Sequence, residues 1–270
     1  MKIGVRGHDY GRKTAFELAS HIKADGFNCL QLAPTKAILG IEKFNEITAA
    51  HLSDIEKAFK DLEISVLGCY IEPSIQDKEQ RLANVETFCD NIRHARALGI
   101  KIVGTETTRL DPDTPDDIRS ESYALLKDSV LRMIEAAERE NVFVGIEPVA
   151  DHVLNTPALA RRLLDEVQSN KLKIIFDPVN LVLPDTIFSQ IDIFEETFDL
   201  LGDQLEVMHI KDVIMENDEK IWRNIGTGDI DYPFIFAWLK ENKPNIPLLR
   251  EGIQPTSAQE DLTAIKSFLE

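Results

Sequence analysis

The chain predicts a (β/α)8 barrel, the TIM-barrel class, as a single unit over residues 1–270, and three features carry that expectation. Eight short apolar runs recur along the whole length, amphipathic stretches of helical period separate them, and successive runs start 26 to 42 residues apart. That spacing fits one strand, one helix and two loops. A doubly wound sheet of eight strands is the competing arrangement.

The runs, in order, are KIGVR (2–6), NCLQLA (28–33), ISVLGCYI (64–71), KIVGTE (101–106), VFVGIE (142–147), KIIFD (173–177), LEVMHI (205–210) and PLLRE (247–251). Most are continuously apolar, as strands covered on both faces should be. Between the second and third runs, residues 48–62 set Leu52, Ile55, Ala58, Phe59 and Leu62 on one helical face. Thr156-Pro157 reads as a cap followed by proline in the first turn. Ser257 with Glu260 reads as a capping box ahead of the last helix.

Composition excludes several classes. At 43% hydrophobic the chain can build a large core. Its 30 basic against 47 acidic residues leave a formal charge of −17, which opposes a nucleic-acid partner. Three widely spaced cysteines, Cys29, Cys69 and Cys89, without a CxxC pair, argue against a disulfide framework or a thiolate zinc site. Reduced thiols in a cytoplasmic protein fit better. The N-terminal MKIGVRGHDYG has no apolar segment of a signal peptide, and no run is long enough to cross a membrane, so no membrane partner is expected. GxGxxG after a strand and GxxxxGK[ST] are both missing.

In such a barrel, chemistry sits at the C-terminal strand ends. Four consecutive strands place Glu147, Asp177, His209 and Glu251 there. Any one of these acids taken alone reads as a helix cap or as the partner of a nearby Lys211 or Arg250. Three carboxylates in one mouth repel unless a cation joins them. An oxygen-rich set with a single imidazole suits Mn²⁺, Mg²⁺ or Co²⁺, with Zn²⁺ also open.

The pieces GIEPV with Glu147, FDPVN with Asp177, HIKD at 209–212, GTGDIDY at 226–232 and LREG with Glu251 form an ordered set over residues 140–252. In this the chain resembles the sugar isomerase/epimerase family with a xylose-isomerase-like barrel, the group of D-tagatose 3-epimerase and hydroxypyruvate isomerase. The resemblance implies that Glu147, Asp177, His209 and Glu251 bind a divalent metal, Mn²⁺ foremost. It further implies that Glu147 and Glu251 exchange protons with a sugar or small hydroxy-carbonyl substrate through a metal-stabilised enediolate, and that the protein forms a homodimer or homotetramer. Asn180 stands where the ketose epimerases carry a histidine, and Met215 where they carry an arginine. That departure points away from a free ketohexose. A lyase or dehydratase acting on an oxidised sugar, inosose or glycoside shares the same first step. A multi-zinc nuclease on the same barrel needs more strand-end histidines than His8, His152 and His209. A sugar-binding module would have no need of two paired glutamates.

Secondary candidates for substrate contact are His8 after the first strand, Tyr70 and Glu72 closing the third, Glu106 closing the fourth, and Asn180 and Lys211 beside the proposed ligands. Lys211 is a candidate for a substrate oxyanion or for pairing with Asp212. Trp222, in a polar stretch, reads either as a lid aromatic or as ordinary packing. His21, His51 and His94 fall in helical patterns and read as surface residues.

Overall fold

A computed structural model describes residues 1–252 and 256–270. Among the described residues ten strands form: β1 Lys2–Arg6, β2 Cys29–Leu32, β3 Glu63–Gly68, β4 Ile102–Glu106, β5 Phe143–Glu147, β6 Leu172–Phe176, β7 Leu205–Ile210, β8 Asp212–Glu216, β9 Glu219–Arg223 and β10 Pro247–Arg250. Eight of them close a parallel barrel in the order β1-β10-β7-β6-β5-β4-β3-β2. The eight expected runs are therefore the eight barrel strands, and the (β/α)8 class holds. The α-helices are α1 Ala15–Ala24, α2 Pro34–Ala37, α3 Ala49–Ala58, α4 Lys78–Ala97, α5 Asp116–Glu140, α6 Pro157–Val167, α7 Pro178–Leu181, α8 Gln190–Leu201, α9 Tyr232–Asn242 and α10 Ala258–Leu269.

Period-two alternation divides each strand between two cores. Inward positions Cys29, Val66, Ile102, Ile175, Val207 and Leu249 fill the barrel. A side chain at Gly104 would meet Ile175 Cδ1 at 2.8 Å, so glycine at that inward position is what admits the isoleucine. Outward positions such as Val103, Val144, Ile174 and Met208 join the larger core beneath the helices.

Helix starts follow local chemistry. The Thr156 side chain accepts from the Leu159 amide with Pro157 in the first turn, as expected, and Thr48 caps α3 by accepting from His51 N. On α3, Ile55 and Ala58 are buried while Leu52 is only half-buried. The capping box of Ser257 with Glu260 does not form. Ser257 Oγ donates to Asp261 Oδ2, which the Arg250 guanidinium also approaches at 2.9 Å, and Glu260 accepts from Asn224. The ionic partner inside the protein outcompetes the local cap.

The stretch between β7 and β10 holds an addition that periodicity does not announce. β8 and β9 form an antiparallel hairpin outside the barrel, turning at Asn217 and Asp218, both at positive φ. Such a two-residue turn matches the twist of the flanking strands. Asp212 ties its base: Oδ2 accepts from the amides of Gly226 and Gly228. The hairpin lies across the C-terminal mouth, where Lys220 Nζ donates to the Val179 carbonyl at 2.7 Å. Among the described residues no helix is long and apolar enough to cross a membrane.

Candidate metal centre and active site

Glu147 ends β5, Asp177 follows β6, His209 lies in β7 and Glu251 follows β10. All four are buried, none more than 4% exposed. Ligand atoms of Glu147, Asp177 and His209 lie within 4.8 Å of one another. The point of convergence is the Nδ1 atom of His209. Glu147 Oε2 stands 3.1 Å from it, Glu251 Oε1 3.4 Å and Asp177 Oδ2 3.8 Å. Yet Nδ1 makes no hydrogen bond.

The imidazole is set by its other nitrogen. His209 Nε2 is 2.9 Å from Gln31 Oε1 in β2, and Gln31 Nε2 in turn donates to the Tyr70 hydroxyl. An amide oxygen only accepts, so Nε2 carries the hydrogen and the Nδ1 lone pair faces three carboxylate oxygens. That arrangement repels unless a proton or a metal ion stands among them. Burial opposes a charge on His209, but Glu251 and Glu147 outweigh it and push its pKa up to about 9. The donor set, three carboxylates and one imidazole fixed through its second nitrogen, fits a hard or borderline divalent cation.

Asp177 does two jobs. Its Oδ1 accepts from Asn180 N and caps α7, with Pro178 in the first turn, while Oδ2 faces the cluster. Capping and cluster membership thus coexist in one side chain. Burial raises its pKa, and the charges of Glu147 and Glu251 add to that against the opposing pull of Lys211.

Lys211 does not pair with Asp212. Its Nζ is 2.7 Å from Asp177 Oδ2 and 3.2 Å from Glu251 Oε2. Neighbours on an extended strand point to opposite faces, so Lys211 shares the inward face of His209 and Asp212 is turned to the glycine loop. The Tyr232 hydroxyl donates to the Lys211 carbonyl at 2.5 Å and holds its backbone.

The two glutamates are held differently. Glu147 Oε1 accepts from Asn180 Nδ2 at 2.5 Å, a neutral donor. Glu251 Oε2 lies 3.2 Å from both Lys211 Nζ and Arg6 Nη1, two cations. Burial works against ionised Glu251, but His209, Lys211 and Arg6 prevail and hold it far below the usual carboxylate range.

Of the secondary candidates, Asn180 and Lys211 touch the cluster directly. Tyr70 reaches it through Gln31. Glu106 pairs in register with Glu147, and burial followed by the charges of Glu147 and Glu251 raises its pKa. His8 lies close enough for the Arg6 and Glu251 charges to act on it, although burial dominates and lowers its pKa to about 4. Glu72 is exposed and lines the outer part of a cleft it shares with Tyr70, Glu106 and His152. Trp222 is 55% exposed, its ring 5.8 Å from Lys211 Nζ and packed beside Gly252. His21 is exposed, while His51 and His94 are half-buried. The cysteines are free and buried. Gln31, Arg6 and Lys220 were not singled out from the sequence. A polar side chain at an inward position of an otherwise apolar strand is the signal for Gln31.

A family model described as a xylose isomerase-like TIM barrel matches residues 19–268. No curated protein sequence matches the chain. Among solved structures, a D-tagatose 3-epimerase-like protein aligns over 100% of this chain and 97% of its own, at 18% identity and TM-score 0.81. The 3-keto-D-glucoside 4-epimerase YcjR from E. coli, in its apo form, aligns over 99% of both chains at 20% identity and TM-score 0.76. The IOLI protein with a bound zinc atom aligns over 99% of this chain and 96% of its own at 15% identity and TM-score 0.75. The closed barrel, the strand-end cluster and the family match agree: the chain belongs to the xylose isomerase-like TIM barrel family.

Proposed function

We propose that the protein is a divalent-metal-dependent isomerase or epimerase of a sugar or related small hydroxy-carbonyl compound. The observation that carries this reading is the convergence of Glu147, Asp177 and Glu251 on the unbonded Nδ1 of His209. Those four side chains would hold the ion, with Mn²⁺ or Mg²⁺ best suited to the oxygen-rich set. When bound, the ion would polarise the substrate carbonyl and make the neighbouring C–H acidic.

The chain's own residues do the rest. Glu147 and Glu251 rise from strands separated by β6 and β7, so their carboxylates flank the centre from different sides. One removes the proton α to the carbonyl and the other returns it. Asn180 orients Glu147 without neutralising it, which favours Glu147 as the group that takes the proton. Lys211 and Arg6 keep Glu251 ionised and fixed. The epimerase neighbours support the sugar class.

A lyase is the second reading, and the same pair of cations on Glu251 favours it. A carboxylate clamped by Lys211 and Arg6 accepts a proton poorly, and elimination needs only one base. Incubation of the metal-loaded protein with ketoses in D₂O tests the primary reading: solvent deuterium at the α carbon, in a product otherwise unchanged in mass, is expected. Loss of water or an aglycone would install the lyase instead. Product without solvent deuterium would end the proton-transfer account.

A further inference from the structure

Beside the cluster lies a cleft of about 730 Å³ that the chemistry above leaves unused. Its volume falls within the ~300–1,000 Å³ range of sites that bury whole organic ligands. The inner wall is Glu106, the register partner of Glu147, so the cleft begins one strand spacing, about 4.8 Å, from the cluster. The outer wall is α4, which presents Gln80 and Asn84, and the rim carries Glu72. His152, in the loop after β5, shares the lining, its ring nitrogen Nδ1 buried and without a hydrogen bond.

This lining selects by chemistry. Glu42 and Glu72 on the exposed rim repel a phosphate or a carboxylate, and Glu106 on the inner wall, its pKa raised by burial and by Glu147, can donate to or accept from a hydroxyl. Gln80 and Asn84 bring amides tied to each other and to the rim, Gln80 Nε2 donating to Asn84 Oδ1 at 2.9 Å and Asn84 Nδ2 to the Glu72 carbonyl at 3.2 Å, which leaves Gln80 Oε1 and the second N–H of each amide for a ligand. Two cations also line the cleft, Arg109 and Lys43, but Arg109 is committed to an acid, Lys43 points to solvent, and Lys36 beside the cleft is held by a ring. Arg109, 75% exposed on its side chain, pairs with Asp151 at 2.9 Å, Lys36 lies over the Tyr70 ring, and Lys43 is exposed. Carboxylate and amide groups arranged around an open volume suit the vicinal hydroxyls of an uncharged polyol.

We propose that this cleft binds a second, uncharged sugar unit, so that the substrate class is a disaccharide or glycoside whose hydroxy-carbonyl end reaches the cluster. This rests on the reading of the cluster as a metal-dependent sugar site.

The test is titration calorimetry on the Mg²⁺-saturated protein with four ligands: D-fructose, the ketose disaccharides isomaltulose and lactulose, and fructose 6-phosphate. At least one disaccharide is expected to bind at least about tenfold more tightly than fructose. Asn84→Trp, which fills the cleft, should bring that disaccharide back to the affinity of fructose. Mg²⁺ affinity of the same variant, measured in parallel, should stay within about twofold and so shows that it remains folded. Equal affinity for fructose and both disaccharides, tightest binding of fructose 6-phosphate, or an unmoved disaccharide affinity in Asn84→Trp would each overturn the cleft assignment alone. Binding of Mg²⁺ without binding of any of the four would overturn the sugar reading itself.

Discussion

Gln31 Oε1 and His209 Nε2 meet at 2.9 Å across the barrel interior, from β2 to β7, and this contact decides which imidazole nitrogen faces the carboxylates. Gln31→Leu removes the acceptor and frees the ring to turn. Partners of this kind behind a metal-bound histidine contribute roughly 10–100-fold to metal affinity. A loss of that order is expected in a metal titration, while Gln31→Glu, which retains an acceptor oxygen, should lose less. An unchanged affinity in Gln31→Leu would show that the ring is held by packing alone.

Lys211→Met tests the resident counter-ion. The substitution leaves Asp177 and Glu251 buried without the ammonium now between them. Removing one partner of a buried ion pair costs about 3–5 kcal/mol. The metal-free variant should lose stability of that size in urea unfolding. Added Mn²⁺ should then recover more stability in the variant than in the parent protein, because the ion replaces the missing charge. An equal gain in both would separate Lys211 from the cation site.

Glu147→Gln keeps the shape and the Asn180 contact within reach while removing the basic oxygen. Turnover should fall about 10² to 10⁴-fold. Asp177→Asn should weaken metal binding and turnover together, and unchanged metal content in that variant would remove Asp177 from the ligand set.

Gly228 packs against the base of the hairpin. A methyl group there would overlap Asp212 Oδ1 and meet the Val213 carbonyl at 2.5 Å. Gly228→Ala should therefore destabilise the protein by about 1–3 kcal/mol, the usual cost of overpacking. A melting temperature equal to that of the parent would show that the hairpin base yields freely.

Much of this was legible in the sequence. Each of Glu147, Asp177, His209 and Glu251 is a polar group at the close of an apolar run, and the barrel rule assigns all such ends to one face. Adjacency in sequence suggests Asp212 as the partner of Lys211, whereas strand alternation sends neighbours to opposite faces. The hairpin does not stand out in the sequence, although Asn217-Asp218, between Val213–Met215 and Ile221–Trp222, is a turn signal. Its strands are short and half-polar, so they lack the continuous apolar character of the barrel runs. Gln31 and Arg6 depend on contacts between residues 178 and 245 positions apart, which no local pattern records. The apolar run through Ile71 sets Glu72 at a strand end like Glu106, but β3 stops at Gly68 and leaves Glu72 in the loop beyond.

One divalent ion is proposed where Glu147, Asp177, His209 and Glu251 converge, and anomalous diffraction from Mn²⁺-soaked crystals is the decisive measurement of that placement. A single peak is expected roughly 2.0–2.2 Å from His209 Nδ1 and from one oxygen of each carboxylate, the usual range for such ions. A Mn²⁺ peak elsewhere on the chain, with Nδ1 of His209 left without a metal neighbour, would contradict it.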